Sequence, residues 1–198
     1  VHTAGGTGNI TTTGTSKTIS GSNITLNNLI ISTGSISTTS TLTLAGDLTV
    51  NGPLSASAGN ITFSGAGKTI SGSSTIQLAG VELTGSLSTA RELLISSNLS
   101  VPGSFTATAG QVTFNGTSTF SGTANIYDLL ISTTGSLEMG SNSVLGIAGT
   151  TTLDAGGTFD ATTNVPNTIE YNGSIAQSTV FPTFHNLILS GGNTKTPS

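Results

Sequence analysis

The chain has 198 residues, a formal net charge of −4 and 6% charged residues, against the roughly 25% of an ordinary soluble domain. Its basic residues, Lys17, Lys68, Arg91 and Lys195, form no stripe that would neutralise phosphates, so nucleic acid is not an expected partner. No apolar run approaches the roughly 20 residues of a bilayer-spanning helix, and without cysteine there is neither a disulfide framework nor a thiolate zinc site.

Ser and Thr number 67 and Gly 27, nearly half the chain, which nearly excludes helices and would suit disorder were Val, Ile, Leu and Phe not supplied so regularly. The chain begins VHTAGG, without an initiator Met or a signal peptide, as a processed chain or an excised piece would. The first patterned segment is GNITTTGTSKTISGS at 8–22, followed by LNNLIIS at 26–32 and LTLAGDLTVNG at 42–52. Then the chain repeats itself: GNITFSGAGKTISGS at 59–73 lies 51 residues after its first copy, followed by LAGVELT at 78–84 and LLISSNLSVPG at 93–103. A third copy opens with GQVTFNGTSTFSG at 110–122 and continues with IYDLLIS at 126–132. After an insertion near ATTNVP, 161–166, a fourth is marked by NTIEYNGS at 167–174 and FHNLILS at 184–190.

Within these units the texture is of six- or seven-residue segments such as DLTVNG and NITFSG, in which apolar and polar residues alternate. Alternation of period two puts Leu48 and Val50 on one face and Thr49 on the other, so the segments are predicted strands, with Gly and Asn turning the corners between them. Short strands, short corners and a long period predict one elongated domain over 1–198, an all-β, right-handed parallel β-helix. Its units lie near 8–58, 59–109, 110–166 and 167–198, each of two or three coils. In such a fold each turn is the template for the next, like residues stack along the axis, and Phe63, Phe114 and Tyr171, which share one repeat phase, are expected to form an aromatic column. The competing architecture is a tandem of small antiparallel β-sandwich modules, for which the NG pairs at 51, 115 and 172 are the best hairpin signal.

Chemistry is sparse. The eight carboxylates fall at different repeat phases, although stacking could bring Glu82 and Asp128 to one face. DAGGTFD at 154–160 lacks the fixed nonapeptide of a calcium-binding β-roll and reads as a turn; His2 and His185 stand alone, so neither a metal nor another cofactor is expected. No Gly-x-Ser-x-Gly elbow occurs, and no catalytic residue is assigned. The six Asn-x-Ser/Thr triplets, at Asn9, Asn23, Asn60, Asn98, Asn115 and Asn172, are what a Thr-rich strand protein generates by chance.

The stretches TFSGAGKTISGSSTIQLAGVELTG, DLTVNGPLSASAGNITF and FHNLILSGGNTKT resemble the Gly/Ser/Thr-rich repeats of large bacterial surface adhesins of the haemagglutinin-like or autotransporter-like kind. The resemblance extends over essentially the whole chain and implies an extracellular or cell-surface β-helical stalk, fibre or adhesive module. At the chain's end GGNTKTPS is similar to GTSKTIS at 14–20, with Lys195 matching Lys17, as if a further unit were starting. An open solenoid end recruits more strands, so Asn193, Lys195 and Pro197 are the expected assembly interface, for end-to-end self-association or for neighbouring repeats of a longer chain. The second functional expectation is an ice- or polysaccharide-binding Thr/Ser face, with extracellular glycans as partners.

Overall fold

The computed structural model describes residues 8–22 and 24–197; His2 and Asn23 lie outside them, as does the side chain of Pro197. The strands begin Asn9–Thr12, Lys17–Ile19, Ile24–Leu26, and the next, Asn28–Ile31, returns to lie on the first, with Ile10 beside Leu29. Each winding thus crosses three faces and lands on its predecessor. Every strand pairing among the described residues is parallel. The chain is therefore an all-β solenoid of about ten turns, and tandem antiparallel sandwiches are excluded. No helix among the described residues is long and apolar enough to cross a membrane.

The alternating pattern explains the stacking. On the third face Ile24, Leu42, Ile61, Val81, Leu99 and Phe120 follow one another inward, turn upon turn, with the residues between them facing out. Leu42, Leu99 and Phe120 are at most 1% exposed, so the interior is a continuous apolar column. A slip of one residue would turn that whole set to solvent, which is why the register is specified.

A turn takes from 17 residues, Leu78 to Ile95, to 24, Leu145 to Ile169, where the insertion near 161–166 forms an exposed loop. The 51-residue spacing is accordingly not a whole number of turns. Asn9 begins a strand of the first face, but Asn60 lies in the third and Gln111 in the second; Thr168 is back on the first. Between successive landmarks the chain makes eight face crossings, two turns and two-thirds, so each copy of the motif is rotated one face from the last. The other landmark obeys the same rule: Leu29, Val81, Leu129 and Leu187 fall on the first, third, second and first faces.

Two expectations change as a result. Phe63, Phe114 and Tyr171 are buried, but they lie on three different faces and form no column. Glu82 belongs to the third face and Asp128 to the second, so stacking separates those carboxylates. What stacks on a segment is not its repeat counterpart but the segment one turn away, and only the apolar character must agree.

The corners carry the repeat most strictly. A Cβ on Gly34 would stand 1.6 Å from the Gly14 carbonyl oxygen, and one on Gly52 1.8 Å from that of Gly34, so three turns meet at one edge with no room for side chains. Gly65, Gly85 and Gly103, each 51 residues further on, form the equivalent column at another edge, with 2.1 and 1.8 Å clearances. The repeat thus supplies a glycine column to a different edge at each recurrence.

Candidate assembly edge and surface hollows

The expected interface residues lie on the outermost turn. Lys195–Pro197 pairs in parallel with Gln177–Thr179, Lys195 opposite Gln177 and Pro197 opposite Thr179. The Lys195 side chain is half-buried. Its Nζ donates to the carbonyls of Gly173 at 2.7 Å, Gly192 at 3.1 Å and Ile175 at 3.2 Å, closing off the preceding corner. Asn193 has φ 71° in the turn before the strand, and its Oδ1 accepts from the Thr194 amide at 2.9 Å. Lys17 and Lys195 both begin strands of the second face, nine turns apart, which is not a whole number of eight-crossing intervals; the likeness of their segments is not the repeat.

The more telling feature of this turn is its apolar content. Leu187 and Leu189 pair with Ile169 and Tyr171, which are fully buried, yet they are 39% and 49% exposed, and Ile188 is 46% exposed. Leu187 and Leu189 continue the core register, and among the described residues no further strand pairs with theirs beyond Thr168–Tyr171. Part of the interior is closed differently. Phe181 stacks on Phe159 with ring centroids 3.8 Å apart, and Phe184 meets it edge-on at 6.4 Å. Gln177 is buried with its amide satisfied, Nε2 donating to Ile147 and Gly149 carbonyls at 2.8 and 2.7 Å and Oε1 accepting from the Gly173 amide at 3.0 Å.

Along the shaft, side-chain oxygens tie one turn to the next. Asn28 Oδ1 accepts from the Asp47 amide at 2.7 Å and Asp47 Oδ1 from Thr69 at 2.8 Å, both on the first face. Asn98 Oδ1 accepts from Thr119 at 2.9 Å on the third, and Asp128 Oδ1 from Thr150 at 2.5 Å on the second. Asn28 and Asp128 share one repeat position and Asp47 and Asn98 another, so the device travels from edge to edge with the motif. These carboxylates are clamps along the axis. Asp160 instead holds its own loop: hydrogen bonds from the Thr163 hydroxyl and the Thr162 amide, three and two residues on, bring its carboxyl down to about 2.

Surface hollows interrupt the faces. On the second, a hollow of about 320 Å³ runs from Ser73 and Arg91 past Gln77 and Leu94 to Gln111 and Thr113. A second of about 180 Å³ continues it over the same Gln77 and Leu94 to Asn115. The third, about 260 Å³, lies on the first face around Gly146, between Asn125, Glu170 and Asn172. None was legible beforehand, because their linings come from residues about one turn apart in the chain. Among the described residues no three His, Cys, Asp or Glu side chains gather as metal ligands. No family model, curated protein or solved structure matches the chain.

Proposed function

We propose that the chain is a non-catalytic structural and adhesive module of an extracellular or cell-surface fibre, wound right-handed as parallel crossovers almost always are. The observation that carries this reading is the unbroken apolar column beneath a surface of uncharged hydroxyls and amides, ending in a turn whose Leu187 and Leu189 are set for another winding. A shaft of this kind resists extension because pulling on it loads many ladder hydrogen bonds together. The further winding comes either from a second copy, stacking end to end, or from more of the same polypeptide.

At about 4.8 Å per turn the described part is a rod about 50 Å long. Small-angle scattering and negative-stain microscopy test the reading: rods that lengthen into filaments with concentration are expected, and Leu189→Lys should shorten them. A compact globule in dilute solution would overturn it.

A polysaccharide-binding face is the second reading, favoured by the hollows. An ice-like lattice has less support, since the outward row of the second face runs Thr18, Ser37, Ser55, Gln77, Leu94, Thr113, Leu130, without a regular Thr array.

A further inference from the structure

The hollows on the second and first faces occupy one position in the repeat. Thr113 lines the larger hollow of the second face and Asn115 the smaller one that continues it, and Glu170 and Asn172, their counterparts in QVTFNG and TIEYNG, line the one on the first; Leu94, opposite Thr113, and Gly146, opposite Glu170, line them in the same way. In each case the asparagine is half-buried, and its Oδ1 is closed off from solvent without a hydrogen-bond donor. A buried acceptor without a donor is unfavourable by about 1–3 kcal/mol, and finding it at two equivalent positions is not an accident of one loop. In NITFSG the same position is Ser64, whose hydroxyl donates to the Leu44 carbonyl at 3.4 Å, and no such atom is left there.

We propose that these hollows, the joined pair on the second face and the one on the first, bind a neutral, hydroxyl-rich polysaccharide, with the Asn115 and Asn172 amides turning outward to accept a sugar O–H; this deepens and rests on the adhesive reading. A neutral ligand follows from the charges. Arg91 and Glu92 both border the first hollow and cancel, while Glu170 is the charged group of the other, its carboxylate already accepting from the Ser190 hydroxyl at 2.6 Å. An anionic sugar would meet an unbalanced carboxylate there. Amides and hydroxyls suit sugar hydroxyls in both roles: Gln77, Gln111 and Thr113 on one side, Thr106, Thr123 and Asn125 on the other. Leu94 supplies an apolar floor for the C–H face of a ring.

Neither hollow has a Tyr or Trp for a sugar to stack on, so single-site affinity is weak and useful binding comes from number. The fold provides number. The sites are a third of a turn apart around the rod and about 13 Å apart along it, facing different directions, as a cross-linker of glycan chains requires.

The test uses the whole chain on an array of immobilised glucan, mannan and galactan oligosaccharides beside uronic and sulfated ones, with small-angle scattering of every variant. Binding to at least one neutral glycan is expected, weakened severalfold by Asn115→Ala or Asn172→Ala and at least about tenfold by the double variant, with the rod unchanged. Gly146→Ser is a second route. A Cβ there would meet Asn125 Oδ1 and Asn172 Nδ2 at 2.8 Å, the ends of flexible side chains, so it fills one hollow without disturbing the backbone and should match Asn172→Ala. Binding only to charged glycans, binding to none, or a double variant that binds like the parent overturns the proposal while leaving the fibre reading intact. Loss of the rod in the parent chain removes the fibre reading instead.

Discussion

The carbonyl oxygen of Gly34 lies 1.8 Å from where a Cβ on Gly52 would stand, one turn above it. Backbone meets backbone there, and neither can step aside without opening the ladder on both faces that share the edge. Gly52→Ala should therefore lower stability by at least about 2 kcal/mol, a fall of roughly 5 °C or more in Tm. Gly103→Ala, at the equivalent place on another edge, should behave alike. Gly192→Ala, whose Cβ would meet nothing closer than 4.0 Å, should melt close to the parent.

The one-face advance of the repeat makes a deletion experiment decisive. Removing residues 60–110 joins Gly59 to Gln111 and lays Val112 and Phe114 on Leu42 and Leu44, where Ile61 and Phe63 now lie. Leu93 and Ile95, which Val112 and Phe114 cover at present, are the repeat counterparts of Leu42 and Leu44, so every contact is remade in kind. A shorter rod with a cooperative melt is expected. Removing 60–104 instead brings Phe105 to the position of Asn60 and inverts inward and outward residues, and this chain should aggregate. Circular dichroism and size-exclusion chromatography distinguish the two.

Asp128 clamps one turn to the next through Oδ1, which accepts from both the amide and, at 2.7 Å, the hydroxyl of Thr150. Asp128→Ala removes the acceptor and should destabilise by about 1–2 kcal/mol in denaturant titration. Asp128→Asn keeps an Oδ1 and should retain most of that, because Asn28 and Asn98 perform the same task as amides.

Burial pushes the Tyr171 hydroxyl up to about 12, against the opposing effect of neighbouring Thr151 and the Val180 backbone. In the unfolded chain the phenol ionises near 10. The folded protein resists that ionisation, so the stabilisation is complete below pH 10 and is lost as pH rises through 12, by an amount on the order of 2 kcal/mol. Tyr171→Phe should flatten the dependence of melting temperature on pH across that window.

Much of the architecture is legible in the residues themselves. Leu48, Thr49 and Val50 alternate, and Leu48 and Val50 point inward; GNIT and GNIT recur, and the chain winds in parallel turns. The stacking of Phe63 under Phe114 is not legible, nor true, because alternation states which way a side chain points and not how many residues close a turn. The hollows escaped for a related reason. Gln77, Leu94 and Thr113 are neighbours only because successive turns take 17 and 19 residues. Asn115 and Asn172 offered the one available signal, an Asn after an aromatic in both TFNG and EYNG, whose meaning depends on the cavity beside it.

By itself the order of residues determined the strands, their inward faces, the uncharged surface and the existence of a period, since these follow from side-chain size, polarity and alternation along one segment. The three-faced cross-section, the one-face advance at each recurrence, the glycine edges and the pairing of hollows were decided only in three dimensions. A turn closes where its corners let backbone rest on backbone, and that distance is a property of the stacked turns together, not of any one of them.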